Sequence, residues 1–403
     1  MLNTILIDSG SREHLLPFTA TRPEGELRVG IYNIREKWER LLHRRVSYIT
    51  QPYLQGKFPL HLEEDNLIIN GSLLPTAKLA EWFDNLRPNE ALVQEGELIA
   101  VRLGQERIEE LSEDIDFLER NSRAPEHPEL LKRVTRLWDL TLLAAEAFTE
   151  DFHLLTSGRD SWPISPTNRI IGSPGAIFLE EGAQLECCVI NTTEGPVYLG
   201  KNSTVMEGSL LRGPLSVGRD SVIKMGAKIY GPTVIGPGCK AGGEITRSVM
   251  MEYANKAHDG YLGDAVLGAW TNIGADTNNS NLKNNYSEVK VWDYATGRFE
   301  KSGRQFVGLM LGDHSKCGIN TMFNTGTVVG VGANVFGSGY LRNFIPDFSW
   351  GGNDSGYRTH RLEEAVQTAK VVMSRRGLPF SDADWDIFST IFRQTATLRS
   401  WEK

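Results

Sequence analysis

The stretch "NKAHDGYLGDAVLGAWTNIGA" (residues 255–275) sets His258, Tyr261, Asp264 and Asn272 among small and aliphatic residues. An imidazole is the one side chain whose unperturbed pKa lies near neutrality, so His258 is suited to accept a proton from a reacting group. Lys256 and Arg247 flank it closely and could supply charge for a phosphate, while Tyr261 and Asn272 offer hydrogen bonds matched to hydroxyls. A metal-dependent chemistry would need three convergent histidines. The surrounding glycine-rich region holds only His258 and His314, and His314, in "GDHSKCG", reads as structural. The plain alternative for His258 is a solvated corner of a repeat.

A repeat is what must position these groups. Stepping by six from Leu199 gives Val205, Leu211, Val217, Ile223, Ile229, Ile235 and Ala241. Stepping from Leu311 gives Cys317, Phe323, Val329, Val335 and Leu341. A short fixed period means that each unit stacks on its neighbour to bury its apolar face. Six residues is too short for a helical hairpin and fits a short strand with a tight turn, three of which make a triangular parallel coil. The register gains two residues between Ala241 and Val249 and lapses at about 278–306, where "EVKVW", "DYATGR" and "FEKS" read as an inserted β-hairpin.

The rest of the chain divides around this region. Residues 1–156 read as an α/β domain, with strands such as "TILI" alternating with helices such as "IYNIREKWERLL", a pattern that suggests a parallel sheet. Residues 157–169 are Ser- and Pro-rich and read as a linker. The repeat occupies 170–345, and 346–403 reads as a loop and two helices capped by Thr359 and Ser381. Of 403 residues 23% are charged, and the net charge of −8 argues against nucleic acid as the main partner. Four cysteines without CxxC spacing indicate neither a zinc site nor a disulfide framework. No apolar stretch is long enough to span a bilayer, and the expected location is the cytoplasm.

The hexapeptide register resembles that of the left-handed parallel β-helix family. More specifically, "KAHDGYLGDAVLGAWTNIGA" resembles the "KAGHLTYLGDAxIGxxxNIGAG" segment of the bifunctional N-acetylglucosamine-1-phosphate uridylyltransferase and glucosamine-1-phosphate acetyltransferase family. That resemblance implies a catalytic base at His258 and acceptor contacts from Lys256, Tyr261, Asn272, Asn285, Tyr286 and Lys290, beside which Arg247 is a candidate on its charge alone. It also implies acetyl-CoA as donor, a sugar phosphate or nucleotide sugar as acceptor, and a homotrimer built through the β-helix. Ile319 stands where the family often has a serine that contacts the coenzyme.

The opening "ILIDSGSREHLLPFTATRPEGELRVGIYNIREKW" resembles sugar-phosphate nucleotidyltransferases, in which a glycine-rich loop cradles the nucleotide phosphates. Gly10, Ser11, Arg12 and Arg22 are the nucleotide-binding candidates. Glu24 replaces the family's phosphate-binding lysine, and Ser72, in "IINGSLLP", replaces the aspartate that holds Mg2+. Magnesium is therefore expected only if this domain is active. Three readings follow: an acyl-CoA-dependent transferase acting on an amino sugar, a sugar-1-phosphate nucleotidyltransferase or bifunctional enzyme, and a non-catalytic trimeric sugar-nucleotide-binding protein.

Overall fold

The computed structural model describes residues 2–108, 122–128 and 131–402. The chain forms two compact units. The first comprises residues 1–15, 21–27 and 32–136, and the second the remainder.

In the first unit, β1 (Asn3–Ile7) lies between β2 (Val46–Ile49) and β3 (Asp65–Asn70), parallel to both. Helix α1 (Ile34–Leu42) opens on a capping box between Asn33 and Glu36, and its Trp38 stacks on Phe83 of α2 (Ala77–Asp84). The sheet is mixed, however, and not parallel throughout as the strand–helix alternation suggests. Strands β4 (Ala91–Gln94) and β5 (Glu97–Gly104) form a hairpin, and β5 runs antiparallel to β3. The cause is local, because Glu95 and Gly96 both take positive φ, the two-residue turn that reverses a strand on itself. Ile5, Ile68, Ala91, Val101 and Leu103 form one core under this sheet.

The second unit begins with α3 (Asp139–Leu142) and α4 (Ala144–Thr156), whose Phe148 and Phe152 pack with Ile31, Phe178 and Tyr198. From Arg169 the chain winds into a parallel β-solenoid with three faces, the longest of nine strands. Every apolar position of the six-residue register from Leu199 to Ala241 and from Leu311 to Leu341 is buried in one continuous core. The residues beside them point outward, as the twofold alternation of a strand requires.

Between the coils Asn279 and Met310 the chain leaves the solenoid. There Lys290–Asp293 and Arg298–Lys301 pair as an antiparallel hairpin. After the last coil, Ser349–Gly352 and Gly356–Thr359 form a second hairpin where the sequence suggests loop. Thr359 consequently ends a strand and receives a hydrogen bond from Trp401 Nε1 (3.0 Å). It does not cap α5 (Leu362–Ser374), whose N-cap is Arg361. Ser381 does cap α6 (Asp382–Gln394), in a box with Asp384. All four cysteines are free, and no described helix is long and apolar enough to cross a membrane.

Candidate functional site

His258 sits in the four-residue turn between the strands Asn255–Lys256 and Tyr261–Gly263. Its side chain is exposed, and it forms no hydrogen bond or ion pair with any described residue. The turn beneath it is held from two sides. Gly260 has φ +111°, and a Cβ there would lie 2.2 Å from Thr277 O, so only glycine fits. From inside, Lys256 Nζ donates to the carbonyls of Gly242 (3.1 Å), His258 and Asp259 (3.3 Å).

Lys256 occupies an inward position, opposite Ala241 in the ladder, and is 1% exposed. Burial pulls its ammonium down to about 8, against the pull of Asp259. The residue cannot reach a bound phosphate as the sequence reading supposes. It positions the His258 turn instead.

Arg247 and Tyr261 do come together, around a carboxylate. Arg247 makes a bidentate pair with Asp264 (2.8 and 2.7 Å), and this pairing raises its pKa further. Asn281 Nδ2 donates to Asp264 Oδ2 (2.5 Å) and to Tyr261 Oη (3.0 Å), and the Arg247 guanidinium lies 5.2 Å over the Phe306 ring. Arg247 is thus not a free cation for phosphate. It is the charged part of a rigid polar cluster whose exposed edge can hydrogen-bond hydroxyls. Asn281 is the member the sequence reading passes over.

The other predicted contacts are dispersed. Asn272 lies on a different face of the coil, where its Oδ1 accepts from Asn255 Nδ2 (2.6 Å). Asn285 is exposed, and its Oδ1 closes a turn on Ser287 N (3.0 Å). Tyr286 is 64% exposed. Lys290 lines a cavity of about 640 Å³ with Lys283, Trp292, Phe299 and Arg342, all on the insertion or the coil beside it. Ile319 is 69% exposed, so the position where a serine was expected presents apolar surface.

In the first unit the loop at Asp8–Arg12 is closed by the protein itself. Ser9 N and Ser9 Oγ (2.8 Å) both donate to the Glu24 carboxylate, and Glu24 N donates to Asp8 Oδ1 (2.9 Å). Asp8 Oδ2 takes bonds from Arg12 Nε (3.1 Å) and Thr50 Oγ1 (2.6 Å), and Arg12 Nη2 also reaches Tyr53 Oη (2.8 Å). Arg12, Arg22 and Ser11 are all buried. The Glu24 carboxyl group therefore sits at an amide of the loop that would cradle phosphate. Ser72 is fully buried, and its hydroxyl is bonded to Asn70 Oδ1 (2.6 Å). Among the described residues no group of three or more His, Cys, Asp or Glu side chains could hold a metal. Ser72 brings no charge toward Mg2+, and its hydroxyl is already engaged by Asn70.

Comparison with known proteins finds similarity to several transferases. The profile of a family described as sugar nucleotidyl transferase matches residues 4–160. A bifunctional sugar-1-phosphate nucleotidylyltransferase/acetyltransferase of Sulfurisphaera tokodaii is 36% identical over 93 residues, 23% of each chain. A bifunctional protein GlmU of Methanococcus maripaludis is 34% identical over 95 residues, 23% of this chain and 22% of its own. These alignments thus span about a quarter of the curated relatives' length. Among solved structures, a Francisella novicida UDP-N-acetylglucosamine acyltransferase aligns over 58% of this chain and 86% of its own, at 12% identity and a TM-score of 0.23. The α/β part of the chain is thus similar to the sugar nucleotidyl transferase family, and the chain joins that domain to a parallel β-solenoid with a six-residue register.

Proposed function

We propose that this chain is a transferase that moves an acyl group, acetyl in the simplest case, from a coenzyme A thioester to the amine of a phosphorylated or nucleotide-linked amino sugar. The observation that carries this reading is the exposed, unpartnered His258 imidazole on a turn locked by Gly260 and by the Lys256 ammonium. The neutral imidazole takes a proton from the substrate ammonium as the nitrogen attacks the thioester carbonyl. Collapse of the tetrahedral intermediate expels the coenzyme thiolate, which takes the proton from the imidazolium, while the second surplus proton on the attacking nitrogen leaves to solvent, giving a neutral amide and a free thiol. The Arg247–Asp264–Asn281–Tyr261 cluster lines the acceptor sugar. The same reading expects three chains to associate through the solenoid, which a solution mass checks directly.

The test is thiol release from acetyl-CoA with a panel of amino-sugar phosphates and their nucleotide-linked forms. Turnover with one of them and no pyrophosphate release from a nucleoside triphosphate plus a sugar 1-phosphate is the expected result. Pyrophosphate release without thiol release would overturn it in favour of nucleotidyl transfer, against which the Glu24-filled loop and Ser72 both stand. Silence in both assays would leave a binding protein.

Lys256→Met supplies a second expected outcome. Methionine keeps the apolar stem but leaves the carbonyls at 242, 258 and 259 without their donor. A displacement of His258 by about 1 Å is enough to lower kcat by up to about 100-fold, with KM little changed. Because a neutral amine has fewer protons than the ammonium for these carbonyls, the wild-type kcat should also decline above pH 8, near the depressed Lys256 pKa. The variant should lack that decline. Full kcat in Lys256→Met would show that the turn holds itself.

A further inference from the structure

One face of the solenoid carries an outward column of Lys240, Asn255, Asn272 and Lys316 on successive rungs. At roughly 4.8 Å per rung the two lysines stand about 14 Å apart with the two amides between them. The C-terminal end of α5 lies over this column and brings Val372, Arg375 and Arg376 to it. With Tyr253 and Trp270, whose rings stack at 4.1 Å, these residues enclose a cavity of about 370 Å³.

Its lining supplies four cations and no carboxylate. Lys240, Arg375 and Arg376 make no ion pair or hydrogen bond through their side chains with any described residue, and Lys316 Nζ donates only to His314 O (2.9 Å). The crowding has an electrostatic cost. Lys240 is depressed first by burial and then by Arg376, Lys224 and Arg375, and burial brings Lys316 down to about 8. Asn255, which lines the cavity, gives its amide N–H to Asn272, while its own Oδ1 is buried without a partner. Such an atom ordinarily costs stability unless something donates to it.

An anion that also carries a hydrogen-bond donor answers both features. We propose that this cavity binds a small phosphate ester with free hydroxyls, its phosphate held by Arg375, Arg376 and the column lysines and a hydroxyl donating to Asn255 Oδ1. The Tyr253–Trp270 stack forms a flat apolar wall against which a sugar ring or base can lie. The site is on a different element of the coil from the His258 turn, and it holds whether or not His258 is a base.

Calorimetric titration of the full chain tests this. Glucosamine 1-phosphate and adenosine 3′,5′-bisphosphate represent the two sources of a hydroxyl-bearing phosphate ester, an acceptor and a coenzyme fragment, and the tighter binder identifies which one the site takes. Arg375→Ala/Arg376→Ala, at an exposed helix end, should weaken that binding at least tenfold and flatten its dependence on salt. Asn255→Ala should weaken the hydroxyl-bearing esters but leave inorganic pyrophosphate unaffected. Arg212→Ala, which removes a cation paired with Glu194 elsewhere on the coil, should change nothing. Failure of both esters to bind at millimolar concentration, or unchanged affinity in the double variant, would overturn the proposal. Equal losses for esters and pyrophosphate in Asn255→Ala would remove the assigned hydroxyl contact.

Discussion

Replacing His258 with alanine should lower turnover of the amino-sugar acceptor by about 10²–10⁴-fold, the usual contribution of a positioned general base. That corresponds to roughly 3–5 kcal/mol of barrier. A sugar amine is largely protonated at neutral pH, and its nitrogen cannot attack a thioester until the proton leaves. With His258 absent, the positioned imidazole that would take it is lost. The effect should fall on kcat, because a neutral imidazole contributes no charge to binding the acceptor phosphate. His258→Asn should lose as much as the alanine variant, since an amide can hydrogen-bond the amine but not accept its proton. Stability is a clean control here. The side chain is exposed and bonded to nothing described, so the unfolding midpoint should match wild type. Turnover within threefold of wild type in either variant would place the base elsewhere.

Much of the scaffold under that prediction was legible before any coordinates. The six-residue register named the inward residues from Leu199 to Ala241 correctly because a solenoid core follows sequence spacing almost mechanically. What failed was direction at the points where the register shifts. Lys256 carries a charge, and charge invites a surface assignment. Where the spacing suggests two added residues after Ala241, the coil is instead three short, 15 residues in place of 18, and this brings Lys256 opposite Ala241, pointing inward. Matching by letters is also blind to the coil geometry. The "NNY" at 284–286 drew attention to Asn285, whose Oδ1 closes a turn on Ser287 N, away from the cluster around Asp264. Arg247, Asp264 and Asn281 are spaced by 17 residues, one coil each, and that period stacks them at a common corner. A coil period, and not a motif, was the available signal. Nothing local in the sequence, by contrast, says that Arg375 and Arg376 arrive over Lys240 and Lys316, since that depends on where the C-terminal helix docks.

Glu24 should impose a pH dependence on stability that Glu24→Gln abolishes. The carboxyl is fully buried, and burial first, then the neighbouring Asp8, pushes its pKa up from 4.5 to about 8. A carboxyl raised in the folded state binds more protons folded than unfolded throughout the window between those values. Its stabilising protonated form is thus fully present below about 4.5 and is lost as pH rises through 8. At about 1.4 kcal/mol per unit, the loss across the window reaches several kcal/mol. Glutamine copies the neutral acid: its oxygen can accept from Ser9 N, and its amide can donate to Ser9 Oγ, which serves as either donor or acceptor. Denaturant unfolding at intervals from pH 5 to 9 should therefore show wild type losing stability relative to Glu24→Gln as pH rises, the two being close at pH 5. Comparing the pair cancels the titration of other groups, Asp8 excepted, and Asp8 is also raised by burial. Parallel curves would mean that Glu24 ionises normally in the fold. In that case the charge of Arg12, and not a proton on Glu24, would be what lets the two carboxyls sit together in the loop where a phosphate would otherwise lie.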